Sequence, residues 1–353
     1  MTILQTESMT AHGGQTIRVL EEMQIIRDKG WNVYLAAHPK SWLLNQAVKK
    51  GFKAFPINFF GPLDFLSTYK LFKIINENNV DLIHSHSSKD GYPALYVSKI
   101  TNIPSIRSKH IGLTKKPSIT YNYYDGIITT GSKIIDEMRK ANIRNEFISI
   151  PTFPDKNKFF PDSKLRQYFR KRFNISDKEI VIGTLSGTNR RKRPHFLLEF
   201  AQAHPKIKVL IAGQKFTNDY SKELLKKIEG ISNIQYIGFQ NPQEFLNGID
   251  IFVCPSSNES TTQTIPQAML CQKPVVTMDV GSISDLNKQN NLILCKSKDD
   301  FLQSLHLLST DTNKQKELGL LNRNLALTFF NKSIMEKNLL DFYSKINSKK
   351  RRK

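Results

Sequence analysis

Short apolar runs alternate with amphipathic stretches along the whole chain, and this alternation constrains the fold more than any other feature. TILQTE, WNVYLAA, KAFPIN, VDLIHSHS, IPSIRSKH, YDGIITTG and EFISIP read as strands in the first half. Stretches of helical period lie between them. One carries Ile17, Leu20, Ile25 and Ile26 at roughly helical spacing, another has Gly51 just past its end, and a third is capped by Ser132. Apolar strands separated by helices indicate a parallel sheet covered on both faces. Residues 151–162, PTFPDKNKFFPD, hold three prolines without periodicity and read as a linker. The plan then repeats, with IVIGTLS, KVLIAGQ, IQYIGF, DIFVCPS, PVVTMDV and LILC as strands. The expected fold is α/β. Two doubly wound domains, residues 1–152 and 153–330, face each other across a cleft, and a helix within 331–353 crosses back onto the first.

Open parallel sheets bind ligands beyond the carboxyl ends of their strands, so the loops there are the candidates. HGGQT (12–16) follows the first strand. Gly13 and Gly14 let backbone approach a ligand, and the helix start favours an anion or an oxygen-rich group. The segment is not G-x-G-x-x-G, and a plain tight turn is the competing reading. HSHSS (84–88) and RSKH (107–110) end two further strands. Imidazoles there accept a proton from a substrate or donate to an oxygen. His84 and His86 share one face of a strand with no third metal ligand evident, and one of them reads as structural. His110 has Arg107, Lys109, Lys115 and Lys116 near it; a solvated basic face is the alternative.

GTLSGTNRRKRP (183–194) places Gly183 and Gly187 before Arg190, Arg191, Lys192 and Arg193. Cations at a strand's carboxyl end suit a diphosphate. CPSSNESTTQTIPQAML, from Cys254 onward, sets one acid, Glu259, among Ser260, Thr261 and Thr262, with Gln267 on the helix that follows. Ser260 reads either as a ligand group or as the helix N-cap. No D-x-D ends a strand, which argues against a metal-dependent nucleotide-sugar site.

The chain has 353 residues, more than one core usually holds. Fifty-two Lys and Arg against 31 acids give a net charge of +21, which calls for an anionic partner: nucleic acid, an acidic membrane face or a phosphorylated substrate. Aromatic residues are not interleaved with the basic clusters, so specific nucleic-acid binding is not expected. Cys254, Cys271 and Cys295 form no C-x-x-C pair and read as buried thiols of a reducing compartment. MTILQTESMTAHGG lacks an apolar signal core, and no run matches a membrane span. The expected location is the cytoplasm.

Taken in order, these segments resemble the GT-B-fold retaining glycosyltransferases of family 4, also described as glycosyl transferases group 1. The resemblance runs from HGGQT through VDLIHSHSS, IRSKH, GIITTGSKI and ISIPTFPDKNKFFP to RRKRPHFLLEFA, IQYIGFQ, DIFVCPSSNES, PQAM and KPVVTMDVGSISDL. It implies GT-B architecture, two Rossmann-like domains, the first on the acceptor side and the second binding a nucleotide sugar. It implies transfer of a sugar from a nucleoside-diphosphate sugar to a glycan hydroxyl, with retained anomeric configuration and no metal. The family's E-x7-E motif falls on Glu259, beside the donor sugar, and on Gln267, where the second Glu, the usual ribose ligand, is an amide. Ser260, Thr261 and Thr262 replace its glycines. His110 matches the histidine near the reaction centre. Arg191 and Lys192 match the diphosphate cations, with Arg190 in play if the register slips by one. Thr184 stands where an Arg is usual, after Gly183. Gly238 and Phe239 match the turn beside the base. Gly13 and Gly14 match the acceptor-side loop, and His86, Arg107 and Lys109 are assigned to the acceptor as well.

With the +21 charge, the expected acceptor is a lipid-linked or lipopolysaccharide-type glycan, met peripherally at the inner face of the cytoplasmic membrane through residues 107–116 and the SKKRR tail. The competing readings are a GT-B-like sugar-nucleotide epimerase, an inverting transferase, a degenerate binding homologue prompted by Gln267 and Thr184, and a basic nucleic-acid-binding protein prompted by the charge.

Overall fold

The computed structural model describes residues 1–113, 116–151, 153–259, 261–330 and 332–351, with only the backbone for the last two. The chain divides into two compact units, Met1–Thr152 with Ser333–Lys353, and Phe153–Lys332.

The first unit runs β1 (Thr2–Glu7), α1 (Gly14–Asp28), β2 (Asn32–Ala37), α2 (Trp42–Lys49), β3 (Lys53–Pro56), α3 (Phe65–Glu77), β4 (Leu82–Ser85), α4 (Ser88–Thr101), β5 (Ser105–Lys109), β6 (Gly126–Thr129), α5 (Ser132–Lys140) and β7 (Glu146–Ser149). Its seven strands are parallel, in the order β3-β2-β1-β4-β5-β6-β7. The order turns between β1 and β4, where Gln5 lies opposite His84. β1 is buried at every residue, including Gln5, Thr6 and Glu7. A central strand with three polar residues at its carboxyl end marks a place where polar groups must find partners.

The predicted strand VDLIHSHS stops at Ser85. Asp90 captures the backbone N–H groups of His86 (3.1 Å) and Ser87, so the chain turns into α4 there.

The second unit runs α6 (Ser163–Arg172), β8 (Val181–Thr184), α7 (Phe196–Ala203), β9 (Lys208–Ile211), α8 (Asp219–Glu229), β10 (Ile234–Tyr236), α9 (Pro242–Gly248), β11 (Ile251–Cys254), α10 (Thr264–Leu270), β12 (Val275–Met278), β13 (Ile293–Cys295), α11 (Lys298–Thr310) and α12 (Thr312–Phe329). Its six strands are also parallel, in the order β10-β9-β8-β11-β12-β13, turning between β8 and β11. The core contains Ile182, Val209, Ile211, Ile251, Val253 and Val276 from the strands and Leu197, Phe200, Leu224 and Phe301 from the helices.

The last helix, α13 (Lys332–Arg351), returns to the first unit. A Cβ on Gly126 of β6 would lie 2.9 Å from the Phe342 ring and 3.0 Å from Ile346, so the missing side chain is what lets α13 lie against the sheet. Tyr343, fully buried, reaches Gln5 and His84 from this helix.

Candidate active site

In the second unit, the loops leaving β8 and β11 emerge side by side, because these two strands are neighbours at the turn of the sheet order. Gly187, at φ +59°, makes the first loop possible: a Cβ there would sit 2.2 Å from the Gln214 carbonyl oxygen. The Asn189 side chain then accepts from the Arg191 N–H at 2.9 Å and starts a single helical turn over Arg190–Lys192. That turn is tied to the second loop. The Arg191 carbonyl accepts from the Ser257 N–H (2.8 Å) and hydroxyl (3.0 Å), and the Arg191 guanidinium donates to the Asn258 carbonyl. Glu259, 7% exposed, is held in an ion pair by the Lys192 ammonium, with Arg191 at 3.6 Å. A carboxylate this buried requires such pairing.

Several expected donor residues stand elsewhere. The Arg190 guanidinium lies 5.8 Å from the centre of the Tyr220 ring, while Arg191 and Lys192 are the two cations at Glu259. Gly183 is buried within β8, and a Cβ there would meet Ile249 and Phe245 at 2.7 Å, so it is glycine for packing, not for a ligand. Thr184 is also buried in β8. Thr261 is buried, and the Thr262 hydroxyl bonds to that of Thr264 at 3.0 Å. Ser260 lies outside the described residues, and the N-cap of α10 is Gln263, not residue 260. Gln267 is half-buried, and its side-chain amide makes no hydrogen bond among the described residues. Gly238 adopts φ +70° in a tight turn, leaving the Phe239 ring 71% exposed. The three cysteines are free and buried; burial raises the Cys254 thiol, and those of Cys271 and Cys295 to about 12, which keeps them unreactive.

In the first unit, Gly13 caps α1 with extended backbone, its N–H donating to Thr16 Oγ1 at 3.1 Å. No atom approaches within 4 Å of the position of a Cβ on Gly13, so that face of the loop is open. At the ends of β1 and β4, Glu7 accepts from Gln15 Nε2 (2.6 Å), from the Met9 N–H (2.8 Å) and from the Ser87 hydroxyl. Burial, and then the charge of Asp90, raise the Glu7 carboxyl to about 7. His110, half-buried just beyond β5, meets His86 Nδ1 through its Nε2 at 3.2 Å.

Arg107 was expected on the acceptor side. It is instead buried: its guanidinium donates to the Ser87 carbonyl and to Ser85 Oγ (3.3 Å), 4.0 Å from Asp90. Lys109 is half-buried, Lys116 is exposed, and Lys115 lies outside the described residues. Both imidazoles of the pair are buried: His84 lies between the Tyr343 hydroxyl (2.7 Å) and the Ser108 hydroxyl (2.9 Å), and His86, expected at the acceptor, lies between Gln5 Oε1 (2.6 Å) and His110 Nε2 (3.2 Å).

The structure also supplies the third group that the sequence left out of the His84–His86 pair. Glu22 of α1 places Oε2 at 3.8 Å from both His84 Nδ1 and His86 Nε2. The arrangement does not suit a metal ion. The two facing imidazole nitrogens already bond to Tyr343 and Gln5, and the Arg18 guanidinium, bonded to the other carboxylate oxygen of Glu22 at 2.7 Å, sets a positive charge beside Oε2, which has no hydrogen-bond partner among the described residues. Sequence periodicity missed Gln5, Glu7, Glu22 and Asp90 because buried polar residues break the apolar pattern instead of forming one. The polar end of the first strand, QTE, was the available signal.

The family described as "Glycosyltransferase Family 4" matches residues 12–155, and the one described as "Glycosyl transferases group 1" matches residues 166–324. Among curated relatives, the chain is 28% identical over 241 residues to "Uncharacterized glycosyltransferase MJ1059" of Methanocaldococcus jannaschii, covering 60% of this chain and 59% of that protein. It is 23% identical over 318 residues to the "O-antigen biosynthesis glycosyltransferase WbnH" of Escherichia coli, covering 86% of this chain and 89% of that one. Among solved structures, Anabaena Alr3699/HepE in complex with UDP superposes with a TM-score of 0.86 at 18% identity, covering 98% of this chain and all of that one. HepE has also been solved with UDP-glucose. With its two halves matched in sequence order and its fold shared along nearly its whole length, the chain belongs to the GT-B-fold glycosyltransferases of the family 4, group 1 type.

Proposed function

We propose that this protein transfers a hexosyl group from a nucleoside-diphosphate sugar to a hydroxyl of a lipid-linked glycan, with retention of anomeric configuration and without a metal. The observation that carries the reading is the meeting of Lys192, Arg191 and Glu259 at the turn of the second sheet. A diphosphate leaving group develops negative charge in the transition state, and fixed cations stabilise it. The diphosphate competes with Glu259 for the same two cations, so donor binding loosens Glu259 towards the sugar. The bond from C1 to the diphosphate oxygen breaks, and the acceptor oxygen bonds to C1 on the same face. The departing oxygen takes the acceptor's proton. Gln267 offers its amide to the ribose hydroxyls, and Phe239 its exposed ring to the base. HepE, solved with UDP-glucose, makes that sugar the first donor to test.

The test is UDP release from UDP-glucose, then from other nucleotide sugars, with and without EDTA, using wild type and Glu259→Gln. Activity that resists EDTA and falls about 100-fold or more in the variant is expected. A variant as active as wild type sinks the assignment of Glu259, metal-dependent release sinks the metal-free mechanism, and an inverted product anomer by NMR sinks retention.

WbnH carries O-antigen biosynthesis in its name, which supports a lipid-linked acceptor and a place at a membrane face. Among the described residues no helix is long and apolar enough to cross a membrane. The expected basic contacts are weakened: Arg107 is buried, Lys349 pairs with Glu146, and Arg352 and Lys353 lie outside the described residues.

A better surface lies at α3. Phe60, Leu63, Phe65, Leu66 and Tyr69 are all more than half exposed, while Ser67 and Thr68 of the same segment are buried and hydrogen-bonded inward. The one acid of residues 60–73, Asp64, is buried as the N-cap of α3, and Lys70 and Lys73 are exposed beside the aromatics. Apolar rings flanked by lysines suit an anionic lipid surface. Phe65→Ser with Leu66→Ser is expected to abolish sedimentation with phosphatidylglycerol-containing vesicles while leaving UDP release intact. Unchanged sedimentation, or a dimer of wild type that the same variant splits, overturns this docking surface.

A further inference from the structure

We infer that Tyr343 and Gln5, neither of which reaches the candidate site, fix which nitrogen of His110 carries its proton. The inference rests on the reading that His110 acts at the reaction centre.

The buried groups form one continuous chain. Gln5 Nε2 donates to the Tyr343 hydroxyl at 3.0 Å, and the hydroxyl reaches His84 Nδ1 at 2.7 Å. Gln5 Oε1 lies 2.6 Å from His86 Nε2, and His86 Nδ1 lies 3.2 Å from His110 Nε2. Gln5, His84 and Tyr343 are fully buried and His86 is 3% exposed, and each of these contacts is made directly, side chain to side chain. Burial, reinforced by neighbouring positive groups including Arg18 and Arg107, lowers all three imidazoles and keeps them neutral.

A neutral imidazole has one N–H and one bare nitrogen. The hydrogens can therefore be followed along the chain. The carbonyl oxygen of Gln5 only accepts, so His86 carries its hydrogen on Nε2. His86 Nδ1 is then bare and accepts, so His110 Nε2 carries the hydrogen between them. His110 Nδ1 is left bare, and it has no hydrogen-bond partner among the described residues. On the other side the Tyr343 hydroxyl, already accepting from Gln5, donates to His84 Nδ1, and His84 Nε2–H donates to Ser108.

Turning the Gln5 amide over would reverse every hydrogen and leave His110 presenting an N–H. It would also set two nitrogens 2.6 Å apart at His86, closer than an N–H···N bond allows, so the first polarity holds.

His110 thus offers an acceptor to the substrate, which matches a sugar hydroxyl and not an anionic oxygen. Tyr343 and Gln5 are positioning residues that act through His86. Tyr343 contributes from α13, giving the returning helix a chemical role in the first unit in addition to packing.

The test is 15N NMR of the imidazoles in wild type, followed by Tyr343→Phe and Gln5→Leu. Wild type is expected to show His110 with bare Nδ1 and protonated Nε2. The variants are expected to show mixed tautomers, with kcat lowered about five- to tenfold and KM within about twofold, the size of one misdirected hydrogen bond. A wild-type spectrum with protonated Nδ1 overturns the inference without any variant, and so does Gln5→Leu with an unchanged His110 signal. His110→Ala separates the two layers: full activity in that variant removes His110 from the reaction and leaves the tautomer result standing.

Discussion

Replacing Glu7 with Gln is expected to change how the stability of the first unit depends on pH. The carboxyl titrates near 7 in the folded protein against an ordinary 4.5, mainly through burial and then through Asp90. A raised folded pKa means that the native state holds its proton more tightly than the unfolded chain does. The stabilisation is complete below about pH 4.5 and is lost as pH rises through 7. The difference of 2.5 units between 7 and 4.5, at 1.36 kcal/mol each, gives about 3 kcal/mol over that window. Gln mimics the protonated acid, so Glu7→Gln removes this slope. Its stability relative to wild type should climb by about 3 kcal/mol between pH 4 and pH 8 and level off above that.

Urea unfolding read by tryptophan fluorescence suits the measurement, because both tryptophans, Trp31 and Trp42, lie in the first unit. Only the pH dependence of the difference matters, so any fixed cost of re-pairing Gln15 cancels. A difference that stays flat from pH 4 to 8 refutes the reasoning and means that Glu7 titrates alike in the folded and unfolded protein.

Two further outcomes follow from the second unit. Lys192→Met should weaken UDP binding about 10- to 100-fold by calorimetry, the scale of a charged hydrogen bond removed from a phosphate; unchanged affinity would remove Lys192 from the donor site. Gly183→Ala should cost about 1–3 kcal/mol of stability by overpacking against Ile249 and Phe245, with UDP affinity intact. Loss of UDP binding in a fully stable Gly183→Ala protein would restore glycine 183 to the donor site.

The architecture was legible in the sequence because strand and helix periods are local properties. β1 spans Thr2–Glu7, the same residues whose pattern predicts it. The single acid in the segment from Cys254 pointed to Glu259, the family resemblance set Arg191 and Lys192 at the diphosphate, and the folded loops join these three.

Direction was not legible. Arg190, Arg191 and Lys192 are consecutive in sequence, yet a single helical turn sends Arg190 to Tyr220 and the other two to Glu259. Arg107 looks like a surface cation until the strand turns it inward onto Ser85 and Ser87. The exposed rings of α3 look like core in a helical pattern until Ser67 and Thr68 take the inner face.

By itself, the sequence determined a pair of parallel sheets, the loops at their carboxyl ends, and the chemical character of the donor loop, since each depends on neighbours a few residues apart. The tertiary structure alone decided which groups share a buried space. Tyr343 stands 338 residues from Gln5, and their hydrogen bond joins the returning helix to the buried end of β1. Once water is excluded, every buried polar group must be satisfied by whatever the fold brings beside it, and no local pattern specifies that partner.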